Sequence, residues 1–482
     1  MDPHVLSTLV LCAHWLVVLG LFARVIARRT PVGVSVAWLA VIASTPFVGA
    51  AIYLLVGERR LGRQRAERIA ANIDDVQRWQ AELHARSEAA GVRVGALAEP
   101  LRRQAEQVLG FAALDGNVID LFADSETFFD SLVADIDAAE TSCHLCFYIW
   151  HEGGRTADVV EALVRAAERS VPCRVIADAL GSKSFLDGPA ARRLRRAGVE
   201  LTRALPTGPL RTFFVRRDLR NHRKIAVIDG RVAYTGSQNL VDPRFFERDS
   251  GVGEWVDATA RITGPTASAL DGVFSFDWSV ETGTACRLST PAGDGAAAPA
   301  GSTIQVVPSG PDLRPEAIHQ LLLTAIYAAR DELVMTTPYF VPDEAILTAL
   351  LSAALRGVAV TLIVPASNNS LLVRYASVAS FDDLLSAGVR IALFEGGLLH
   401  TKSLTVDGSL SVFGSVNLDM RSLWLNFEIS LFVYDVEFTR RLKSLQQDYL
   451  AHSSLLELEA WRKRSTAHRL VEDAFRLLGP LL

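Results

Sequence analysis

One pattern of six residues occurs twice in the chain and restricts its fold more than any other feature. Residues 221–239 read NHRKIAVIDGRVAYTGSQN, and residues 399–417 read LHTKSLTVDGSLSVFGSVN. Both contain H-x-K-x4-D-x6-G-S-x-N. Chance would repeat six fixed residues at fixed spacing with odds on the order of one in 10^5, at ~1/20 per position. We therefore predict two related lobes, each contributing one copy of the motif.

The sequence that leads into each motif is also repeated. In the first half the order is SCHLCFYIW, VVEALVRAAERS, VPCRVIAD and AARRLRRAGV; in the second it is ELVMTTPYFV, AILTALLSAALRG, VAVTLIVP and FDDLLSAGV. Strand-like and helix-like segments alternate in both, which predicts an α/β fold with mixed, mainly parallel sheets flanked by helices. We expect the lobes at 111–282 and 304–482, joined by a linker at 283–303 that is rich in Ala, Gly, Pro and Thr.

Two apolar segments precede the lobes. Residues 5–26 are mostly apolar, residues 32–57 contain no charged residue, and each segment is long enough to cross the ~30 Å core of a bilayer as a helix. A cleaved signal peptide is an alternative for the first segment, although its start, MDPH, lacks the usual basic residues. We expect residues 1–57 to form a transmembrane helical hairpin, with a kink at Pro46. A juxtamembrane helical segment is expected at 58–110.

Arginines follow both apolar segments. The stretch after the second one, GERRLGRQRAERIA, holds more of them than the connector ARVIARR, which predicts a cytoplasmic position for everything after residue 57. The basic connector leaves a re-entrant first segment open as an alternative. The larger cluster either sets topology alone or also attracts anionic lipid headgroups.

Charge and cysteine usage exclude several classes of protein. The formal net charge of -5 argues against a general nucleic-acid-binding protein. The five cysteines are odd in number and scattered, which favours a reducing compartment over a disulfide framework. Cys143 and Cys146 form a CxxC, but no second pair completes a metal site, so we interpret them as buried strand residues. No metal and no organic cofactor is predicted.

Each motif has the pattern of a β-hairpin that collects four polar side chains. The His and Lys lie two residues apart on one face of a strand, which turns at Asp-Gly and returns Ser and Asn beside them. Any one of these residues alone has an ordinary structural explanation, but the duplicated set suits the negative charge of a phosphodiester. We predict catalysis by His222, Lys224, His400 and Lys402, and phosphate binding by Ser237, Asn239, Ser415 and Asn417. Asp229 and Asp407 complete the catalytic motifs, where we expect them to fasten the hairpins.

Two histidines can divide the work of phosphoryl transfer. One attacks phosphorus and forms a phosphohistidine, while the other protonates the leaving alkoxide and then deprotonates the incoming alcohol or water. The ring needs an acceptor at its far nitrogen, for which Asp257 and Glu428 are the candidates; ordinary strand-edge carboxylates are the alternative. Four apolar residues could line a lipid-facing mouth or belong to the core: Leu371, Leu372, Phe381 and Trp424.

These residues are the HKD motifs of the phospholipase D superfamily, which the chain resembles over both lobes. The segments GVGEWVDATARITGP, TTPYFVPDEAILTAL and NLDMRSLWLNFEISLFVYD, together with the apolar N-terminus, are similar to the bacterial cardiolipin synthase branch. Only the linker falls outside the resemblance. Many relatives have Trp-Arg-Asp where this chain has Trp255-Val256-Asp257, so no contact from that arginine is expected here.

The resemblance implies two fused phospholipase D-like lobes and a transfer reaction. A phosphatidyl group would pass from one phosphatidylglycerol to a second, giving cardiolipin and glycerol. His222 would be the nucleophile and His400 the acid and base, with the reverse assignment open. Expected partners are phosphatidylglycerol and membrane lipid, without nucleic acid, in a multi-pass protein of the bacterial inner membrane. A hydrolase, a transferase using another alcohol, a nuclease and an inactive membrane scaffold remain alternatives, and the oligomeric state is not predicted.

Overall fold

The computed structural model describes residues 3–28, 32–45, 47–58, 61–206, 216, 218–288, 301–312 and 314–476. Pro46 and residues 289–300 of the expected linker lie outside the described residues. The chain forms two compact units. The first is Met1–Gln64 with Thr207–Asp218, and the second is Arg65–Pro206 with Leu219–Leu482.

The first unit contains the apolar helices α1 Pro3–Ala27, α2 Val32–Ser44 and α3 Val48–Val56. Among the described residues, His4–Ala27 is the one helix that is long and apolar enough to cross a membrane. The single helix predicted for residues 32–57 is two helices in the structure. The residue before a proline disfavours helical geometry, and α2 ends one residue before Thr45, which precedes Pro46.

The second unit holds the remaining elements. Its strands are β1 Ala113–Phe122, β2 Cys143–Phe147, β3 Cys173–Asp178, β4 Glu200–Ala204, β5 Ile225–Ile228, β6 Val232–Gly236, β7 Trp255–Val256, β8 Thr259–Thr263, β9 Ser302–Ser309, β10 Glu332–Thr336, β11 Phe340–Val341, β12 Ala359–Pro365, β13 Arg390–Phe394, β14 Leu398–Leu399, β15 Ser403–Val406, β16 Leu410–Gly414, β17 Leu418–Asp419, β18 Glu428–Val433 and β19 Ser453–Leu455. Its helices are α4 Arg63–Ala89 (from Arg65 onward), α5 Glu99–Leu109, α6 Ser125–Asp137, α7 Thr156–Glu168, α8 Lys183–Asp187, α9 Pro189–Arg196, α10 Pro265–Thr282, α11 Ala317–Ala328, α12 Glu344–Leu355, α13 Leu371–Val378, α14 Phe381–Ser386, α15 Met420–Trp424, α16 Val436–Ala451, α17 Leu458–Arg462 and α18 Thr466–Arg476.

The large sheet repeats one strand order in its two halves. Fifteen strands of the described chain form it, in the order β19-β13-β12-β10-β15-β16-β18-β9-β1-β8-β6-β5-β2-β3-β4. The strands β9 and β1 form the central antiparallel pair. Outward from it, one half has the order β9-β18-β16-β15-β10-β12-β13 and the other has the corresponding order β1-β8-β6-β5-β2-β3-β4. The strand β19 adds to one edge only. The sheet confirms the mixed α/β class that the duplicated sequence predicts.

The pairing within the sheet is less parallel than predicted. Among the described strands of this fifteen-stranded sheet, four neighbouring pairs are parallel, namely β2–β3, β3–β4, β10–β12 and β12–β13, and the other ten are antiparallel. Helical crossovers such as α7 and α12 allow parallel neighbours, whereas a tight turn such as the one at Asp229-Gly230 returns the chain antiparallel. The expectation of mainly parallel sheets is therefore corrected to a mixed sheet with antiparallel pairs in the majority.

The helix α4, expected beside the membrane, packs against α10 of the second unit. The Trp79 ring occupies the space above Gly272, where an added Cβ would lie 2.2 Å from the ring. Arg65 pairs with Glu281, and Arg68 donates to the carbonyl oxygens of Val280 and Glu281 at 2.9 and 2.7 Å. From Arg65 onward α4 is thus a structural part of the unit that carries both motifs.

The structure shows whether several residues are buried or exposed, which the sequence did not settle. Cys143 and Cys146 are buried on β2, as predicted. Phe381 is buried among apolar residues of the second half, so it belongs to the core. Trp424 is half-buried against the same cluster. Leu371 and Leu372, at the start of α13, are 68% and 43% exposed and are the two of the four candidates that face solvent.

Candidate active site

Each motif is reached by an extended segment that pairs with the other half of the chain. Asn221 forms an isolated parallel bridge with Phe427, and the amide of His222 donates to the Phe427 carbonyl at 2.8 Å. In the other motif, β14 pairs in parallel with β7, and the amide of His400 donates to the Val256 carbonyl at 2.8 Å. This backbone register brings each histidine beside the carboxylate that follows its pairing partner.

The two histidine–carboxylate pairs therefore cross between the lobes. His222 Nδ1 lies 2.8 Å from Glu428 Oε2, and His400 Nδ1 lies 2.7 Å from Asp257 Oδ1. All four residues are buried. A carboxylate at Nδ1 holds the ring orientation and leaves Nε2 as the reacting nitrogen. The sequence indicates both carboxylates, but not that each one serves the histidine of the other lobe.

Burial controls the protonation of both imidazoles. It lowers the pKa of His222 to about 4 and that of His400 to about 3. The paired carboxylates oppose this effect, while Lys224 and Lys402 add to it. Both rings are thus neutral near pH 7 in the protein itself. A phosphodiester anion bound between them would favour the protonated form, because opposite charge raises a histidine pKa.

The two lysines follow the histidines by two residues, in the segments that lead into β5 and β15, and are also buried. Lys224 Nζ donates to the His222 carbonyl oxygen at 2.7 Å, and Lys402 Nζ donates to the His400 carbonyl oxygen at 2.6 Å. Burial lowers the pKa of Lys224 to about 8 and that of Lys402 well below its ordinary value. An ammonium group has three donors, so each lysine keeps protons for an anionic ligand.

The two motif serines have different hydrogen-bond partners. Ser415 Oγ donates to Glu428 Oε2 at 2.5 Å and accepts from the Ile429 amide at 2.9 Å. Ser237 Oγ instead accepts from the amide of Ala258, the residue after Asp257, at 3.0 Å, and donates to the Ala258 carbonyl oxygen at 3.3 Å. The Ser415 hydroxyl proton is engaged by Glu428. Phosphate binding by the two serines stays a prediction; the contact with Glu428 indicates that Ser415 holds that carboxylate.

The asparagines differ from each other. Asn239 Oδ1 accepts from the Ile149 amide at 3.1 Å, and its buried Nδ2 has no hydrogen-bond partner within the described residues. Asn417 Nδ2 donates to Asp419 Oδ2 at 3.1 Å. An unpaired buried donor costs about 1–3 kcal/mol, and a phosphate oxygen could satisfy the Asn239 amide. Asn239 is therefore the stronger of the two phosphate-binding candidates.

Asp229 and Asp407 lie at the far ends of β5 and β15 from the histidines and bind backbone amides. Asp229 accepts from the amides of Glu140, Thr141 and Ser142 at 2.7–3.2 Å. Burial raises its pKa, but these hydrogen bonds outweigh it and the net pKa is lowered. Asp407 binds the amides of residues 330–332 in the same way, at 2.8–2.9 Å. These contacts tie each motif hairpin to the neighbouring strand.

The structure adds three residues that the motif did not indicate. The Tyr148 ring lies 4.8 Å from the His222 ring and 5.5 Å from Lys224 Nζ, and the Trp255 ring lies 4.3 Å from the His400 ring. Asp419 caps α15 through the Ser422 amide at 2.7 Å, and burial raises its pKa to about 6. The sequence offers only a weak indication of the two aromatic residues. Tyr148 directly follows β2 and Trp255 lies two residues before Asp257, but neither belongs to the repeated motif.

Comparison with known proteins agrees with this arrangement. Residues 132–268 and 322–448 match the family described as cardiolipin synthase, PLD-like domain. Cardiolipin synthase A of Yersinia pseudotuberculosis serotype O:1b and that of Yersinia pestis bv. Antiqua strain Angola are each 46% identical over 482 residues, covering 99% of both chains. A crystal structure of phosphatidylserine synthase from Haemophilus influenzae aligns with a TM-score of 0.59 at 15% identity, over 80% of this chain and 100% of that one.

The structural neighbour supports the fold alone, because its sequence identity is low. The sequence relatives extend over nearly the whole length, and the two family matches contain both histidine–lysine motifs and Asp257 and Glu428. The chain therefore belongs to the cardiolipin synthase, phospholipase D-like family.

Proposed function

We propose that the chain is a membrane-bound cardiolipin synthase, which transfers a phosphatidyl group between two phosphatidylglycerol molecules. The observation that carries this proposal is the pair of crossed contacts, His222 with Glu428 and His400 with Asp257. Two oriented imidazoles with two buried lysines supply a nucleophile, an acid and a base, and positive charge for a phosphodiester. The full-length relatives named cardiolipin synthase A support phosphatidylglycerol as the lipid substrate.

In the first half-reaction His222 Nε2 attacks the phosphorus of one phosphatidylglycerol. The bond from phosphorus to the glycerol headgroup breaks, and protonated His400 gives its proton to the departing glycerol oxygen. A phosphatidyl–histidine remains, and its negative charge lies beside Lys224 and Lys402. The neutral state of His222 favours this step, because a protonated ring has no lone pair for attack.

In the second half-reaction the free hydroxyl of another phosphatidylglycerol gives its proton to His400. The resulting oxygen attacks phosphorus and displaces His222, which completes cardiolipin and restores the protein. The same chemistry with water would give phosphatidic acid, so acceptor choice depends on excluding water. The assignment of His222 as nucleophile follows the family pattern, and the reverse assignment uses the same contacts.

The chain is a membrane enzyme, and we place its second unit on the cytoplasmic side. The basic residues that follow α3 in the sequence support this side, since positive charge near a membrane segment is retained in the cytoplasm. The substrate is itself a membrane lipid, so a site tethered at the surface meets it without extracting it into water.

The test uses purified protein in phosphatidylglycerol vesicles with EDTA, with lipids followed by mass spectrometry. We expect cardiolipin and glycerol from the parent and from His452→Ala, an exposed histidine outside the site. We expect His222→Ala and His400→Ala each to lose turnover by at least ~10^3-fold, in the range seen when residues that act as a unit are removed. Phosphatidic acid as the main product would make the protein a hydrolase, and full activity of either mutant would contradict the mechanism.

The nucleophile is identified by trapping. With radiolabelled phosphatidyl donor, the His400→Ala protein should retain label on a peptide that contains His222 if His222 is the nucleophile. Label on a peptide that contains His400, in the His222→Ala protein, would establish the reverse assignment.

A further inference from the structure

The two ends of the second apolar segment lie at the same place in the first unit. Glu58, just after α3, is buried and accepts from Arg24 Nε at 2.5 Å and Arg24 Nη2 at 2.8 Å. It also accepts from Arg28 Nη2 at 3.2 Å. Arg24 is in the last turn of α1 and Arg28 follows that helix. The end of α3 therefore lies beside the end of α1 and the start of α2.

The turn between α2 and α3 lies at the middle of α1. The Phe47 ring, between the two short helices, is 5.5 Å from the ring of His14. Ile42 of α2 and Ala50 of α3 are buried in one cluster with Val18 of α1. The chain thus runs along the second half of α1 in α2, turns beside His14, and returns in α3.

Helix lengths agree with a turn inside the membrane. At 1.5 Å per residue, the 13 residues of α2 and the 9 of α3 span about 20 and 14 Å, and neither reaches the ~30 Å of a bilayer core. If residues 32–57 crossed the membrane once, Arg28 and Glu58 would be separated by about that core thickness. Their contact excludes a single crossing in this structure.

We infer that α1 alone crosses the membrane among the described residues, and that α2 and α3 form a re-entrant hairpin. This hairpin enters and leaves from one side, with its exposed apolar residues against the acyl chains of that leaflet. Side chains on the outside of the hairpin suit that surrounding: Val32, Val34, Val36, Val48, Ile52 and Leu54 are exposed. The inference replaces the predicted helical hairpin of two spans, and it makes the second segment re-entrant rather than the first.

The charge distribution supports the same topology. With a re-entrant α2–α3 hairpin, the connector arginines and those that follow residue 57 share one side of the membrane. The sequence alone set these two groups on opposite sides, against the rule that positive charge stays in the cytoplasm. The base of the hairpin is closed by Glu58, which also accepts from the Tyr53 hydroxyl at 3.1 Å. The amino terminus then lies on the side of the membrane opposite the connector between α1 and α2.

Close packing at the turn is built into the sequence. A Cβ added to Gly49 would lie 2.2 Å from the Val41 carbonyl oxygen and 2.6 Å from Thr45 Oγ1. Glycine therefore lets α3 start directly against the end of α2.

The test is cysteine accessibility in the full-length protein. The parent carries Cys12→Ser and Cys286→Ser, because the other three cysteines are buried. Single cysteines replace His4, Thr30 between α1 and α2, and Lys183 as a cytoplasmic control. Intact cells with a permeable outer membrane are treated with a membrane-impermeant maleimide, before and after permeabilisation of the inner membrane.

We expect His4→Cys to be labelled in intact cells, and Thr30→Cys and Lys183→Cys only after permeabilisation. Labelling at Thr30→Cys and protection at His4→Cys in intact cells would establish two spans and overturn the inference. Protection of both would show that α1 does not cross, which overturns it as well. Labelling does not depend on lipid turnover, so failure of the proposed activity would leave this result readable.

Discussion

The Nδ1 atom of His222 lies 2.8 Å from Glu428 Oε2, although 206 residues separate the two in sequence. His400 and Asp257 repeat this contact in the opposite direction, at 2.7 Å. Parallel backbone pairing next to each histidine fixes both contacts, since the residue before each carboxylate accepts from the histidine amide. Each histidine is therefore held by a carboxylate of the other lobe rather than by one of its own.

Removing the charge of Glu428 tests the first contact. We expect Glu428→Gln to lower kcat by about 10^2–10^4-fold, because the amide can hold the wrong tautomer of His222 and cannot stabilise its protonated form. The measurement is the initial rate of cardiolipin formation at saturating phosphatidylglycerol. Glu437→Gln, at an exposed carboxylate on α16, is the matched control. Equal rates for both variants would show that the contact has no catalytic role.

Ser415→Ala separates two roles for the motif serine. The hydroxyl donates to Glu428, so we expect a fall in kcat of about tenfold, as for loss of a hydrogen bond to a charged group, with KM unchanged. Ser409→Ala, in the turn after Asp407, is the control. A rise in KM with kcat unchanged would instead support direct phosphate binding by Ser415.

The lysine pKa values predict an alkaline limit to activity. Burial lowers the pKa of Lys224 to about 8, so its positive charge is lost as the pH rises through about 8 rather than near its ordinary value of 10.5. Lys402 is lowered in the same direction. We expect kcat/KM to fall above this pH, since it reports groups of the free protein. When Lys224 and Lys402 are both replaced by arginine, the alkaline limb of the pH–rate profile should move to higher pH even if activity is reduced, because arginine stays charged. An unchanged limb would assign it to another group.

Asp229 should matter for stability more than for chemistry. Asp229→Gly removes a carboxylate that binds three backbone amides but tolerates the positive φ of 55° at this position. We expect a loss of about 1–3 kcal/mol in the free energy of unfolding, with kcat per folded molecule near the parent value. Thermal unfolding in detergent and the rate per folded protein measure the two effects. Asp331→Ala, an exposed position, is the control, and loss of kcat without loss of stability would give Asp229 a catalytic role.

The duplicated motif identified one set of candidate site residues, because two copies at one spacing favour one chemistry; the catalytic and phosphate-binding roles of these residues stay predictions. The hairpin turn at Asp229 is present, but the strand predicted to carry His222 and Lys224 begins only at Ile225, so both side chains lie in the segment that leads into β5. The sequence could not predict which carboxylate pairs with which histidine. Asp257 and Glu428 each follow the motif of their own lobe, and only the backbone pairing between the lobes places each one beside the other histidine.

Other differences arise from packing that local patterns do not encode. Alternating helices and strands predicted parallel neighbours, but the hairpins at Asp229 and Asp407 put antiparallel pairs in the majority. The length of the uncharged segment, 26 residues, predicts one membrane span with a kink at Pro46. In the structure the helix ends at Ser44, and a second helix begins at Val48. The contact of Glu58 with Arg28, which shows where that segment returns, joins residues 30 apart.

The central pairing of β1 with β9 joins the two halves of the second unit into one continuous sheet. Asp257 contacts the histidine 143 residues later, and Glu428 contacts the histidine 206 residues earlier. Although the two copies are similar in sequence, each supplies the carboxylate that the histidine of the other contacts, so a chain with one intact half would contain neither histidine–carboxylate contact.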